Sequence, residues 1–183
     1  MKTFKQKSLY AALAGVTALG VTGAAQAVNV NPDGLGQVLI YPYYTVRNDT
    51  AGNAFTSLLT VVNSTASAKA VKVRFIEGKN SQEVLDFNLF LSKHDVWTAA
   101  ILPTADGAGV GTFDKSCTVP TVSSDPANPS AFVNVLLDDG VGDDSLDRTR
   151  EGYAEIIEMA PIRDATPTWT NVTHVNGVPP GCA

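Results

Sequence analysis

The sequence predicts a mainly β protein, a single antiparallel β-sandwich domain of immunoglobulin-like or jelly-roll-like type, with room for one short helix. Three observations carry that class. The apolar runs are short, and several alternate with polar residues at the period of two that leaves one strand face wet. Clusters of Gly, Asn, Asp, Ser and Pro separate the runs, as turns between strands do. No heptad pattern and no internal repeat competes with this reading.

The elements follow in order. Residues 37–46 hold Val38, Leu39, Ile40, Tyr41, Tyr43 and Tyr44, interrupted by Pro42. Proline lacks the N–H that a sheet ladder needs, so this run is expected at an edge or with a bulge. The turn cluster 48–53 leads to a second run at 55–62. Val71, Val73 and Phe75 alternate with Lys72 and Arg74, then Gly78-Lys79-Asn80-Ser81 marks a turn. Leu85, Phe87, Leu89 and Leu91 alternate with Asp86 and Asn88, and residues 96–102 form the next run. Residues 103–111 and 120–129 read as loops, the first as a broad hairpin connection. Residues 131–137 read as a strand. Residues 153–159 read as a strand framed by Gly152 and Pro161, with a short helix as the competing reading.

The amino end carries an export signal. Lys2, Lys5 and Lys7 precede an uncharged apolar stretch over 9–23, and Ala25-Gln26-Ala27 gives the small-x-small cleavage pattern. The apolar part is shorter than the roughly 20 residues a membrane helix needs. Residues 1–27 are therefore expected to be cleaved, leaving a domain of 28–183 that starts at Val28. The expected destination is exported: periplasmic, cell-surface or extracellular.

After cleavage, 10 Lys and Arg stand against 18 Asp and Glu, a formal charge of −8. Nucleic acid and anionic lipid would be repelled, and no local Lys/Arg cluster offsets this. Cys117 and Cys182 both fall in the exported portion, where oxidation is permitted. Two free thiols and a metal pair compete with a bridge, but structural zinc wants four ligands. A Cys117–Cys182 disulfide is the expectation, restricting the unfolded chain by roughly 4 kcal/mol.

The segments Gly34-Leu-Gly-Gln-Val-Leu-Ile-Tyr-Pro-Tyr-Tyr-Thr-Val46, Val71-Lys-Val-Arg-Phe75 and Ser145-Leu-Asp-Arg-Thr-Arg-Glu-Gly-Tyr153 resemble a set of uncharacterised exported proteobacterial proteins. The resemblance covers most of the mature chain and brings no activity, cofactor or site residue with it. It implies members that continue past the second cysteine, so the end at Cys182-Ala183 reads as a short or truncated member.

Candidate sites are few. Asp138, Asp139, Asp143 and Asp144 flank Gly140-Val141-Gly142, with Asp147 beyond. Calcium wants six to eight oxygen ligands on a flexible loop. The stretch lacks the alternate ligands and closing Glu of the twelve-residue calcium loop. Its first reading is a solvated acidic loop, paired in part with Arg148 and Arg150. It is where a metal would be sought, and no other cofactor is expected. Gly107-Ala-Gly109-Val-Gly111 lacks the helix opening and Gly-Lys-Ser/Thr ending of phosphate loops, and reads as a flexible turn. His94-Asp95 reads as a turn pair, with His174 near the carboxyl end. Neither a Gly-x-Ser-x-Gly elbow nor a His-Glu-x-x-His signature is present, and no catalytic residue is expected. Tyr41, Tyr43 and Tyr44 read as sheet residues before a stacking platform. Asn48, Asn63 and Asn171 open N-glycosylation patterns.

The resulting expectation is an exported structural protein acting through protein partners or self-association at the cell surface. Residues 28–36 would then donate a strand to a neighbour's open edge, building fibres, or simply be buried in their own sheet. The competing expectation is a carbohydrate or small-ligand binding module assisted by calcium.

Overall fold

The computed structural model describes residues 31–140 and 142–182. The expected cleavage site, the Val28 terminus and residues 28–30 of the donor segment lie outside the described residues. Residues 31–34, which group apart from the domain, make one turn in which Gly34 N–H donates to Asn31 C=O at 3.1 Å.

The domain itself is the expected sandwich of two antiparallel sheets. Its strands are β1 Val38–Thr45, β2 Ser57–Val62, β3 Ala68–Glu77, β4 Glu83–Leu91, β5 Val96–Pro103, β6 Ala108–Gly111, β7 Cys117–Val119, β8 Ser130–Ala131 and β9 Glu151–Ile162. One sheet runs β1-β9-β3-β4-β7 and the other β2-β5-β6-β8. A 3-10 helix, Leu146–Arg150, leads into β9, and one α-helix, α1 Pro167–Val172, lies in the carboxyl-terminal segment. Among the described residues no helix is long and apolar enough to cross a membrane.

Alternation places the core. Val71, Val73 and Phe75 of β3 and Phe87, Leu89 and Leu91 of β4 point inward to meet Leu59, Trp97, Ile101 and Val110 of the other sheet. Aromatic rings fill the centre: Phe75 and Phe132 have centroids 5.0 Å apart, and Phe87 meets Trp97 edge-on at 5.9 Å. Offset and edge contacts of this kind suit the ring quadrupoles.

Pro42 acts as expected in both respects. β1 is an edge strand, and its register against β9 shifts between Tyr41 and Tyr44. The expected strand at 153–159 forms as part of the longer β9, which pairs with β1 and β3. The short helix appears at 167–172 instead, where Thr166 caps it by accepting from Trp169 N–H and proline occupies its first turn.

Two readings are corrected. The strand expected at 131–137 is confined to β8, because Phe132 and Leu137 are both buried yet an odd number of residues apart. A single strand face cannot hold both. The chain leaves the sheet after Phe132 and turns, with Leu137 N–H on Asn134 C=O at 3.0 Å. The glycine-rich stretch 107–111 is not a flexible turn but carries the buried strand β6. Its glycines admit close neighbours: a Cβ on Gly109 would sit 2.8 Å from Ser130 C=O, and one on Gly107 2.5 Å from Leu146 C=O.

Candidate interaction surface

The two sheets present unlike outer faces. The five-stranded sheet is laced with charge, because the outward positions of β3, β4 and β9 alternate with their apolar core positions. Lys69 pairs with Glu158 and Lys72 with Asp86. Arg74 bridges Glu83 at 2.5 Å and Glu155 at 2.8 Å.

The four-stranded sheet turns out a face without charge. Register sets Leu58 beside Ala100, Thr60 beside Thr98, and Val62 beside Val96, all on the outer side. Residues 120–129 fold over β6, so that Gly111 lies against Ser123 and Pro129. Between that cover and β2 runs a groove of about 460 Å³. Leu58, Thr98, Ala100 and Leu102 form its floor, with Phe113 and Pro126 alongside, and none of its lining residues is ionisable. Leu58 is 78% exposed and Phe113 73%. Apolar exposure continues past the groove to Val62 at 54% and Val96 at 46%. Continuous apolar surface of this kind marks contact sites more than scattered single residues do. The apolar runs at 55–62 and 96–102 do form β2 and β5, and their outward residues belong to this face. The missed signal was Leu58, Val62, Val96 and Leu102 occupying positions that alternation assigns to solvent.

The acidic loop is drawn apart. Asp139 turns to Arg148, with Oδ1 accepting from Nη1 at 3.0 Å and Oδ2 from Nη2 at 2.6 Å. Asp143 accepts from Ser145 N–H at 2.8 Å and its hydroxyl at 2.6 Å, bonds that hold its carboxyl below the ordinary range. Asp138 and Asp144 are exposed. Among the described residues no three His, Cys, Asp or Glu side chains gather in a way that could hold a metal ion. Pairing with both arginines is present, since Asp147 meets Arg150 at 2.8 Å as well as Arg47 at 3.1 Å.

Arg148, expected as a surface partner of a solvated loop, is buried, and opposite Asp139 it meets buried Glu77. Burial by itself would raise the Glu77 carboxyl. Arg148 and the N–H groups of Gln82, Lys79 and Asn80 more than reverse that, bringing it down to about 2. Nothing in the sequence pattern separates Arg148 from Arg150; only the fold does.

The cysteines pair. Cys117 at the start of β7 joins Cys182 with Cα atoms 5.3 Å apart, inside the range a disulfide spans. Beside it, His174 Nδ1 lies 2.7 Å from Ser92 Oγ and 3.3 Å from Asp95 Oδ2, while His174 N–H donates to Ser92 Oγ at 2.8 Å. A hydrolytic relay sets its serine and carboxylate on opposite ring nitrogens. Here both meet Nδ1, which makes a tether for the carboxyl-terminal segment. His94 occupies the β4–β5 turn at φ 54°, its N–H on Thr65 C=O.

The tyrosines part company. Tyr44 is buried edge-on against Phe75 and Phe132, and burial followed by the charges of Glu77 and Glu151 pushes its hydroxyl well up. Tyr41 caps the Thr60 carbonyl of β2, and exposed Tyr43 reaches Glu151 at 3.2 Å. They form no common platform. Asn63 is 3% exposed and donates to Ser67 and Ser92 carbonyls, so its glycosylation pattern is structurally closed, whereas Asn48 is exposed.

Comparison with protein-family models, with curated proteins and with solved structures found no match to this chain.

Proposed function

We propose that this protein is an exported structural protein of the cell surface or extracellular space that works through protein–protein contacts. The observation that carries the reading is the uncharged, apolar outer face of the β2–β5–β6 region, set against an opposite sheet whose outward β3, β4 and β9 positions carry paired charges and whose β1 edge leaves Val38 and Ile40 exposed. A solvated sheet face ordinarily alternates apolar-in with polar-out. Keeping Leu58, Val62, Val96 and Leu102 outward costs solubility unless another surface covers them. The signal pattern of residues 1–27 supports export, and the disulfide suits an oxidising compartment.

Contact through this face is favoured over strand donation by residues 28–36. Pro42 and the bulge blunt the β1 edge, and Tyr41 occupies the outward carbonyl of Thr60 on β2. A small-ligand module is the second reading, because the groove volume falls within the range of about 300–1,000 Å³ typical of ligand sites. The absence of convergent charged groups in its lining and the separation of the tyrosines argue for the wider contact.

The test is a photo-cross-linking residue at Thr98 in exported protein on intact cells, with Lys79 in the β3–β4 turn as control. Protein adducts at Thr98 and few at Lys79 are expected. Equal labelling at both positions would remove the face from consideration. Terminal sequencing of the same exported material should read Val28 first, and an intact Met1 would overturn the export argument.

A further inference from the structure

We propose that a polar cavity where β1 and β5 end is a saccharide site, taking the adjacent hydroxyls of a neutral sugar between Arg47, Asp147 and Arg150. It is separate from the apolar face, because the two linings share no residue.

Topology makes the cavity. The chain leaves β1 at Val46, ends β5 at Pro103 and enters β9 through the 3-10 helix, and these three connections enclose about 560 Å³. Val46 N–H donates to Arg150 C=O at 2.8 Å, which ties two of the walls together. The volume falls within the range of about 300–1,000 Å³ typical of small-ligand sites.

The polar groups are already oriented. Arg150 Nε donates to Asp147 Oδ1 at 2.8 Å, and its Nη2 reaches the Thr104 and Ala105 carbonyls at 3.4 and 3.1 Å. Arg47 Nη1 meets Asp147 Oδ2 at 3.1 Å, while its Nε is fixed on Glu151 at 2.8 Å. Both guanidinium forks are thus held before a ligand arrives, which lowers the cost of binding. Among the described residues nothing takes Nη1 of Arg150 or the side-chain amide of Asn48, which also lines the cavity. Each Asp147 oxygen accepts one of these bonds and has room for another. Exposed ion pairs contribute little to folding, and Asp147 is 52% exposed, so stability alone does not account for this convergence.

Charge selects the ligand. Two guanidiniums stand against the carboxylates of Asp147 and Glu151, so the cluster is balanced. A phosphate or carboxylate would be opposed by Asp147 and by the −8 of the mature chain, and a cation by the two guanidiniums. A neutral polyol meets neither. Its hydroxyls accept from the spare arginine N–H groups and donate to Asp147, and a hydroxyl does both at once. The hydrogen bond from Arg47, with that from Arg150 behind it, outweighs slight burial and holds the Asp147 carboxyl below its ordinary range, ionised as that acceptor. Pro103, an exposed part of the lining, gives the C–H side of a sugar ring an apolar contact.

An array of neutral gluco-, manno- and galacto-oligosaccharides, with sulfated and carboxylated oligosaccharides alongside, tests this on the mature chain from Val28. Retention on at least one neutral series is expected, and calorimetric titration with that saccharide then compares variants. Arg150→Lys, which keeps the charge and loses the fork, and Asp147→Asn should each weaken binding by at least about tenfold. Asn48→Ala should weaken it as well. Asn48 is exposed and its side chain bonds to none of the described residues, so circular dichroism of this variant should match wild type and separate lost binding from lost folding. Leu58→Ser, on the apolar face, should bind as wild type does. No retention on any neutral series would overturn the proposal, as would retention confined to the anionic saccharides. Neutral binding indifferent to all three cavity variants would put the sugar elsewhere and overturn the site.

Discussion

Glu77 and Arg148 stand 71 residues apart in sequence and meet where neither side chain reaches solvent, with Nε on Oε2 at 2.9 Å and Nη2 on Oε1 at 3.0 Å. Asp139 takes the other side of the guanidinium, and the β3–β4 turn donates three N–H groups to Glu77. The pair therefore fastens the end of β3 both to its own hairpin and to the 3-10 helix that feeds β9. Desolvating two charges is expensive, and only this density of bonds offsets it.

Glu77→Gln keeps the shape and removes the charge. Among the described residues the buried guanidinium then keeps Asp139 as its salt-bridge partner. Breaking a buried pair from one side costs about 3–5 kcal/mol, and the lower end is expected because Asp139 remains. Urea unfolding of the two proteins measures it. A loss of the size of an exposed pair, under about 1 kcal/mol, would mean that the network is not sealed from water.

Acid should dissect the same network. The Glu77 carboxyl is held at about 2 in the folded chain, against its ordinary 4.5. A depressed carboxyl stabilises the fold fully above its unfolded pKa, and the gain is lost as pH falls toward the folded value. Wild type should therefore lose stability progressively from about pH 5 to pH 2, and Glu77→Gln should lose distinctly less over that window. Thermal midpoints at stepped pH give the comparison, and parallel curves would count against Glu77 as the main acid-sensitive group.

Much of the fold was legible because alternation is local. β3 and β4 follow from Val71 to Leu91 by period alone, and Pro42 announced both the edge and the bulge of β1. What escaped depends on contacts distant in sequence. Gly152 sits in β9 because a Cβ there would lie 1.9 Å from the Ile76 carbonyl, and that crowding exists only after β3 and β9 pair. The glycines of 107–111 look mobile until Leu146 and Ser130 close on them. The apolar face was legible residue by residue, but reading it required knowing that β2 and β5 are neighbours. Arg148 could not be told from Arg150 by any local rule.

Calcium should leave stability unchanged. A calcium loop needs several carboxylates turned to one centre, and here Asp139 gives both oxygens to Arg148 while Asp143 caps Ser145. Moving Asp139 to a cation would take two charge-assisted bonds from a buried guanidinium. Calorimetric midpoints with calcium and with chelator should coincide. A concentration-dependent rise with calcium would mean that the loop rearranges, and would return the calcium-assisted binding module to the front.

The bridge should matter most at the carboxyl end. The segment after β9 buries little: Val172 and Pro179 are its buried residues, and α1 is only six residues long. Its other fastenings are His174 to Ser92 and Asp95, and Gly181 N–H to Asn171 C=O at 2.8 Å, which folds the segment upon itself. Cross-linking Cys117 to Cys182 closes 65 residues of chain, which should restrict the unfolded state by roughly 4 kcal/mol. A chain with both cysteines changed to alanine should lose about that much stability, and limited proteolysis should cut it first beyond β9. Denatured, unreduced wild type should expose no reactive thiol, and two reactive thiols per chain would defeat the bridge outright. Should the alanine variant lose stability yet resist cleavage beyond β9, the disulfide would be acting on the unfolded chain alone, and the Ser92–His174–Asp95 tether would be what holds the segment in place.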